Sequence, residues 1–266
     1  MIKIRKINAM VLAIDIGNTN IVLGCCRGET VLFRERVSTV HTSTVLEYAA
    51  ILRTAFEMNR IDPADIHGAI ISSVVPPVTS TMKAAVQKYL HVAPLVVGPG
   101  IKTGLRIQID NPAQLGSDLV VDAVAGIHNY PLPQIIIDMG TATTVSVIDR
   151  GGNYRGGMIL PGAVVSSDSL ISRTAQLQKV AFEVPKSLIG TNTIDCMKSG
   201  ILYGNAGALD GLIDRINAEL GEPCTVVATG GLAGVITPLC RNKILLDDDL
   251  LLKGLLLLYN KNTPTD

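Results

Sequence analysis

Two short segments combine an aspartate, a glycine turn and hydroxyl or amide side chains at the end of an apolar run. Residues 15–20 read Asp-Ile-Gly-Asn-Thr-Asn, and residues 138–142 read Asp-Met-Gly-Thr-Ala. The backbone N–H groups of such a turn can bind phosphate oxygens. A carboxylate beside the turn can hold Mg²⁺ through the water that the ion keeps. The two segments therefore predict a site for the phosphate groups of a nucleotide.

The elements that would position these turns are β-hairpins. Apolar runs at 11–15 and 21–25 flank the first turn, and runs at 134–138 and 145–149 flank the second. Two short runs joined by turn-forming residues predict a hairpin. Because the second hairpin begins about half a chain length after the first, an internal duplication is expected. Neither a Walker sequence nor a Rossmann fingerprint follows a predicted strand, so those two nucleotide-binding folds lack their signature.

A third turn and a third aspartate complete the candidate residues. The apolar run 224–228 leads into Thr229-Gly230-Gly231, and two glycines between a strand and a helix let backbone N–H groups approach a ligand. Asp118 precedes a helix that is predicted from about residue 119 and is apolar on one side. From the residues alone, Asp118 either caps this helix or acts as a general base for a substrate hydroxyl group.

Composition limits the class of protein. Of 266 residues, 47% are hydrophobic and 17% are charged. Lys and Arg balance Asp and Glu at 23 each, and Trp is absent. The balanced charge and the lack of Trp give no basis for nucleic-acid or membrane binding. Asp15 interrupts the apolar run that follows the basic start, and the leucine-rich stretch 250–258 is too short for a bilayer. That stretch predicts a buried helix. The odd number of cysteines, five, predicts reduced, buried thiols in a cytoplasmic protein.

Seven motifs in order give the sequence a family resemblance. They are residues 15–20, 98–104 (Gly-Pro-Gly-Ile-Lys-Thr-Gly), 111–118 (Asn-Pro…Gly-Ser-Asp), 138–144, 156–162, 189–193 and 229–232. In this order and spacing they resemble the motifs of type III pantothenate kinases, over about residues 11–259. The resemblance implies an α/β, duplicated ribonuclease-H-like or actin-like fold, with two lobes that each hold a mixed β-sheet flanked by helices. The lobes would be 10–117 and 118–266, after an extension at 1–9, with the active site in the cleft.

The resemblance also implies a function and its residues. It implies ATP-dependent phosphorylation of pantothenate to 4′-phosphopantothenate, the first step of coenzyme A biosynthesis, by a homodimer that uses Mg²⁺ and a monovalent cation, K⁺ or NH₄⁺. Asp118 would be the catalytic base and Asp138 would bind the monovalent cation. ATP would be bound by Asp15, Ile16, Gly17, Asn18, Thr19, Asn20, Ile21, Val22 and Thr141. Pantothenate would be bound by Gly116, Ser117, Asp118, Leu119 and Thr193.

Two positions depart from the family pattern. Leu119 stands where most members have Arg after the Gly-x-Asp motif, and Ile109 stands where a Tyr often precedes Asp-Asn-Pro. Leucine cannot replace the bidentate contact that a guanidinium makes with a carboxylate or phosphate. A kinase of another small hydroxylated acid therefore remains an alternative, as does a non-enzymatic or regulatory ATP-binding relative. Plain ATP hydrolysis of the actin-like chaperone type is disfavoured, because the chain has little room for the extra subdomains.

Overall fold

The computed structural model describes residues 10–28 and 30–263 and divides into two compact units. The first unit comprises residues up to 105, residues 111–125 and residues from 249 onward, and the second comprises 106–110 and 126–248. The predicted extension at 1–9 lies outside the described residues. The predicted lobe boundary between residues 117 and 118 is drawn on sequence alone and stays a prediction.

The first unit is built on a five-stranded mixed sheet. Its strands are β1 (Met10–Ile16), β2 (Asn20–Arg27), β3 (Thr30–Ser38), β4 (Ile66–Ser73) and β5 (Leu95–Val96). They lie in the order β3-β2-β1-β4-β5, with antiparallel pairing in β1-β2-β3 and parallel pairing of β4 with β1 and β5. The hairpin predicted around the turn that follows Asp15 is confirmed by the β1–β2 pairing.

Helices cover both faces of this sheet because β1 is apolar on both sides. Helices α1 (Val45–Met58) and α2 (Pro76–Leu90) pack against the face that carries Leu12 and Ile14. The C-terminal helix, Leu250–Asn262, packs against the opposite face, which carries Val11 and Ala13. Successive residues of a strand point to opposite faces, so a strand covered on both sides reads as a continuous apolar run. The buried helix predicted from the leucine-rich tail is confirmed.

Helix α3 and the second unit follow. Helix α3 spans Ser117–Asn129, with a short 3₁₀ turn at Pro112–Gln114 before it. The second unit holds a six-stranded sheet in the order β11-β10-β7-β8-β9-β6. Its strands are β6 (Arg106–Ile107), β7 (Gln134–Met139), β8 (Ala142–Ile148), β9 (Asn153–Pro161), β10 (Thr225–Thr229) and β11 (Leu245–Leu246). The helices that lie wholly in the second unit are α4 (Ala163–Ser172), α5 (Thr193–Leu220) and α6 (Ala233–Ile236), and a 3₁₀ turn follows at Thr237–Leu239. Another 3₁₀ turn, Pro63–Asp65, belongs to the first unit.

The two sheets repeat one topology, which confirms the duplication. The order β3-β2-β1-β4-β5 in the first unit corresponds to β9-β8-β7-β10-β11 in the second. In both, the central strand forms an antiparallel hairpin with the next strand and pairs in parallel with a strand that follows a helical connection. Strand β6, which pairs in parallel with β9, is the addition in the second sheet. This is the duplicated α/β, ribonuclease-H-like or actin-like fold, with a mixed sheet flanked by helices in each half.

The longest helix, α5, was not predicted although its start carries a local signal. Asn192 precedes the 28-residue helix, its side chain accepts a hydrogen bond from the Asp195 backbone, and its amide donates to the Asp195 carboxylate at 2.7 Å. Asn followed by an acidic residue three positions later is a variant of the capping box. The buried apolar residues behind it keep a helical spacing; they are Met197, Ile201, Leu202, Leu209, Ile213 and Ile216.

The five cysteines are free thiols in the structure. Cys25 and Cys26 on β2 are buried, and burial raises the pKa of Cys25 to about 11 and that of Cys26 to about 12. The prediction of burial is confirmed for these two only, since Cys224 and Cys240 are half-buried and Cys196 is exposed in the first turn of α5. Its thiol group donates to the Gly190 carbonyl group, in the segment just before the helix.

Phe56 of α1 lies in the core on the face of the first sheet that carries Leu12 and Ile14, and its replacement tests that packing. Its ring is 1% exposed and meets the Phe33 ring edge-on, with centroids 5.8 Å apart. Phe56→Ala should lower the free energy of unfolding by about 3–5 kcal/mol, because it removes buried apolar area and leaves a cavity. Met58→Ala, in the same helix at a side chain that is 74% exposed, should change it by about 0.5 kcal/mol or less. Urea unfolding followed by circular dichroism measures both, and equal losses would contradict this packing.

Candidate functional site

The first candidate turn joins β1 to β2 and is closed by backbone hydrogen bonds. The Gly17 N–H donates to the Asn20 carbonyl group at 3.0 Å. Thr39, just beyond β3, donates from its hydroxyl group to the Gly17 carbonyl at 2.7 Å and from its backbone N–H to the Thr19 carbonyl at 2.9 Å. The turn is therefore held from the neighbouring strand, while Asn18 and Thr19 are exposed at its tip. Asp15 is half-buried at the end of β1.

The start of α3 is attached to the end of β4 through Ser117. The Ser117 hydroxyl group donates to the Ser73 carbonyl oxygen at 3.0 Å and accepts from the Ser73 backbone N–H at 3.1 Å. The Ser72 hydroxyl oxygen lies 3.1 Å from the same atom. Helix α3 is thereby fixed at the carboxyl end of the first sheet.

Asp118 follows in the first turn of α3, and its carboxylate folds back over the start of the helix. The Leu119 backbone N–H donates to Asp118 Oδ1 at 2.9 Å, so the carboxylate caps the helix as one of the two sequence readings predicted. A Cβ atom at Gly116 would collide with the same oxygen, so a side chain at this position would force the carboxylate to move. Burial raises the pKa of Asp118, while hydrogen bonds from the Leu119 and Asp118 backbones oppose the shift.

Strand pairing brings Asp15 and Asp118 to one edge of the first sheet. Asp15 on β1 is paired with Ser72 on β4, and the Ser72 hydroxyl group contacts Ser117, the neighbour of Asp118. Because β1 and β4 are parallel, both strands end at this edge. In open α/β sheets, ligands bind outside the carboxyl ends of the parallel strands. Two residues that are about a hundred positions apart in sequence thus belong to one candidate site.

The second candidate turn joins β7 to β8 and repeats this arrangement in the second unit. Asp138 is half-buried one residue before the end of β7, and the Gly140 N–H donates to the Ala142 carbonyl group at 3.1 Å. Asp138 is paired in parallel with Thr229, the last residue of β10. Thr141 is exposed in the turn, and its carbonyl oxygen accepts from the Gly162 N–H at 3.2 Å.

The third turn lies against Asp138. Gly230 has a φ angle of +97°, a conformation that residues with a side chain rarely adopt. A Cβ atom there would lie 2.5 Å from Asp138 Oδ1 and 2.6 Å from the Met139 nitrogen. The Thr-Gly-Gly motif therefore leaves room for the carboxylate, which remains bordered by backbone. The sequence predicts that this turn can approach a ligand through its backbone, but Gly230 is not among the predicted site residues.

Thr193 begins α5 and lines an open groove of about 930 Å³ in the second unit. The segment before it is fastened to the helix, since Ser199 donates to the Leu188 carbonyl and Lys198 donates to Glu183 at 3.0 Å. The groove also contains Leu170 of α4 and the small residues Gly200 and Gly204 of α5.

The motif at 98–104 is tied to the end of the C-terminal helix. The Asn262 side chain accepts from the Lys102 N–H at 2.8 Å and donates to the Lys102 carbonyl at 3.0 Å. Lys261 donates to the Thr103 carbonyl oxygen at 3.0 Å. The last turn of the protein's final helix therefore holds this glycine-rich loop in the first unit, a partnership that the sequence did not suggest.

The described part of the chain contains neither a cluster of metal-binding side chains nor a membrane-spanning helix. Among residues 10–28 and 30–263, no three His, Cys, Asp or Glu side chains gather into a group that could hold a metal ion. No helix in that part of the chain is long and apolar enough to cross a membrane.

Solved structures with the same fold place this chain among duplicated α/β proteins. Component A of (R)-2-hydroxyglutaryl-CoA dehydratase from Acidaminococcus fermentans matches with a TM-score of 0.55 and 16% identity, over 95% of this chain and 97% of that one. The ethanolamine utilization protein EutJ from Carboxydothermus hydrogenoformans matches with a TM-score of 0.53 and 14% identity, over 95% and 90%. At these identities the likeness concerns the fold alone.

Sequence comparison identifies the family. The family model described as type III pantothenate kinase matches residues 11–215. A relative of that name from Halalkalibacterium halodurans is 44% identical over 253 residues, which cover 95% of this chain and all of the relative. Another from Syntrophus aciditrophicus is 43% identical over 254 residues, 96% of this chain and all of the relative. The chain belongs to the type III pantothenate kinase family.

The raised pKa of Asp118 predicts that its charge lowers stability. The folded protein binds a proton at Asp118 more tightly than the unfolded chain does, so this contribution to stability falls as pH rises from 3.8, the ordinary value, through the raised pKa. Asn keeps the oxygen that accepts from Leu119 but carries no charge. Asp118→Asn should therefore raise the urea midpoint at pH 7, and the gain should shrink as pH falls toward 3.8.

Asp149→Asn provides a control, because its expected effect on the urea midpoint is opposite in sign to that of Asp118→Asn. Burial is the largest single influence and raises the pKa of Asp149, but the hydrogen bonds from Asn153, Arg155 and Gly151 together outweigh it and lower the pKa overall. A depressed pKa stabilises the folded state above the ordinary value, and that stability is lost as pH falls through the depressed pKa. Asp149→Asn should therefore lower the urea midpoint at pH 7. A decrease for Asp118→Asn at pH 7 would contradict the assignment of a costly buried charge.

Proposed function

We propose that this protein transfers the γ-phosphoryl group of ATP to the primary hydroxyl group of pantothenate, which gives 4′-phosphopantothenate in the first step of coenzyme A biosynthesis. The observation that carries the proposal is membership of the type III pantothenate kinase family over nearly the whole chain. The chain also contains the three aspartates that the chemistry requires, Asp15, Asp118 and Asp138. A cytoplasmic location is part of the proposal, because ATP is the phosphoryl donor.

Asp118 is proposed as the proton acceptor. As the pantothenate oxygen bonds to the γ-phosphorus atom, the bond from phosphorus to the β,γ-bridging oxygen breaks and ADP leaves. The hydroxyl proton passes to the Asp118 carboxylate. The raised pKa of Asp118 makes this carboxylate a better proton acceptor than an exposed one. Phosphoryl transfer through a loose transition state needs little base strength, so orienting the hydroxyl group is an equal part of the role.

The β1–β2 turn is proposed to hold the phosphate groups of ATP. Its backbone N–H groups and the Asn18 and Thr19 side chains at its tip are suited to phosphate oxygens, and Thr141 is proposed as a further residue that binds ATP. The full set in the first unit is Asp15, Ile16, Gly17, Asn18, Thr19, Asn20, Ile21 and Val22. Asp15 is suited to orient a hydrated Mg²⁺, which would neutralise charge on the phosphates.

Asp138 is proposed to bind the monovalent cation, K⁺ or NH₄⁺. Asp138 is half-buried near the carboxyl end of β7, and the glycine at position 230 places no side chain against its carboxylate. A carboxylate oxygen is a suitable ligand for a hard cation. The ion would supply positive charge near the transferred phosphoryl group in a chain that has no Walker lysine.

Pantothenate is proposed to contact the first turn of α3 and the start of α5. The residues are Gly116, Ser117, Asp118, Leu119 and Thr193. A homodimer is also proposed, and the apolar side chains that the second unit exposes support it; they include Ile159, which is 78% exposed, and Ile189, also 78% exposed. Burying such side chains against a second copy would remove apolar area from water.

The direct test is to follow 4′-phosphopantothenate formation by the purified protein with MgATP and K⁺. Wild-type protein should form the product, and Asp118→Asn should lower kcat by about 100-fold or more, because the proton acceptor is lost. Asp65→Asn, at an exposed aspartate of the first unit, should leave kcat within about twofold. Circular dichroism and ATP binding establish that each variant is folded.

The alternatives give different results in the same assay. Product from another hydroxylated acid but not from pantothenate would support a changed acceptor, as Leu119 and Ile109 allow. ATP binding without product from any acceptor, with or without K⁺ and NH₄⁺, would support a regulatory relative. Near-normal kcat for Asp118→Asn would remove its catalytic assignment while leaving the kinase activity in place.

The proposed role of Asp138 predicts a loss of cation dependence. Wild-type activity should rise with added K⁺ or NH₄⁺, and Asp138→Asn should abolish that response, because a neutral amide binds a cation more weakly than a carboxylate does. Glu219→Gln removes an exposed carboxylate at the far end of α5 and should preserve the response. The measurement is initial rate against cation concentration at constant ionic strength. An unchanged response in Asp138→Asn would assign the cation to another group.

A further inference from the structure

The hydrogen-bonding capacity of Ser117 is fully used inside the first unit. A serine hydroxyl group has one proton to donate and two lone pairs that accept. The proton goes to the Ser73 carbonyl oxygen at 3.0 Å, and one lone pair accepts from the Ser73 N–H at 3.1 Å. Since the proton is committed, the Ser72 hydroxyl group at 3.1 Å must be the donor to the second lone pair.

The partners of Ser117 are themselves fixed. Ser72 is fully buried in β4 and paired in register with Asp15. The Ser73 hydroxyl oxygen accepts from the Val75 N–H at 3.0 Å and from the Thr79 hydroxyl at 2.6 Å, which ties the end of β4 to the first turn of α2. Thr79 lies in the same network of hydroxyl groups, but it does not contact Ser117. The hydroxyl group of Ser117 therefore attaches to a rigid point of the sheet.

We propose that Ser117 is a positioning residue for phosphoryl transfer, whose hydroxyl group fixes the start of α3 on β4 and thereby fixes the Asp118 carboxylate. The proposal rests on the proposed function, in which Asp118 accepts the proton. Asp118 is the next residue in the same helical turn, and its carboxylate is confined between Gly116 and the Leu119 N–H. Any shift of the helix start moves these groups together.

This role differs from a substrate contact through the side chain. A hydroxyl group with three protein partners can bind pantothenate only by giving up one of them, which leaves a polar group of β4 without its hydrogen bond. Contact between residue 117 and the substrate would then involve its backbone. The two roles predict different kinetics, because lost substrate binding raises KM, whereas a misplaced proton acceptor lowers kcat.

The kinetic test compares Ser117→Ala with Ser117→Thr, which restores the hydroxyl group. Ser117→Ala should lower kcat by about 10- to 100-fold and leave KM for ATP and pantothenate within about twofold, and Ser117→Thr should recover most of kcat. Thr79→Val removes a hydroxyl group of the same network that does not touch Ser117, and it should retain wild-type kcat. A raised KM for pantothenate with unchanged kcat would overturn the proposal in favour of direct contact. Equal losses in the Ala and Thr variants would overturn it as well.

A double-mutant cycle tests the positioning without requiring activity. The urea midpoint is measured for wild type, Ser117→Ala, Asp118→Asn and the double variant at pH 7. If Ser117 holds Asp118 in its buried place, the gain from Asp118→Asn should shrink in the Ser117→Ala background. Additive shifts would overturn the proposal. If wild-type protein forms no phosphopantothenate, the proposed function fails, but this cycle still decides whether Ser117 positions Asp118.

Discussion

Parallel strand pairing at the ends of two central strands is the constraint on which the candidate site depends. In the first unit Asp15 is paired with Ser72, and in the second Asp138 is paired with Thr229. Each aspartate is one residue from the end of its strand, so the strand buries its apolar residues while the carboxylate reaches the edge of the sheet. The hairpin turn then adds backbone N–H groups beside it. A change of register by one residue would send each carboxylate to the other face.

The first unit accepts an electrostatic cost at this edge. Burial disfavours the ionised form of Asp118, and the first turn of α3 only partly compensates for it through the Leu119 N–H. A carboxylate used solely as a helix cap would be more stable at the surface, where water solvates its charge. Groups whose pKa is shifted by burial cluster at functional sites, because catalysis needs a proton affinity that solvent exposure does not give. The cap and the proposed base are therefore compatible roles of one side chain.

The sequence predicted the local features of this fold and missed the distant ones. Both hairpins, the duplication and the C-terminal helix follow from runs of apolar residues and turn-forming residues that are close in sequence. The attachment of Ser117 to Ser73 joins residues 44 positions apart, and that of Asn262 to Lys102 joins residues 160 apart. Such contacts depend on which surfaces meet after folding, and neither side chain is distinctive by type. The start of α5 was different, since Asn192 and Asp195 are a local cap signal.

The two copies of the duplicated hairpin have similar turns but different neighbours. Three residues connect β1 to β2, whereas two connect β7 to β8. Opposite Asp15, strand β4 ends in serines that bind the start of α3, and so the first copy brings a second carboxylate, Asp118, to its edge. Opposite Asp138, strand β10 ends in Thr229, and the backbone of the Gly230 turn lies close to the carboxylate. One copy therefore gathers two carboxylates at its edge, whereas the other borders its aspartate with the backbone of a glycine turn, so the same topology gives the two aspartates different surroundings.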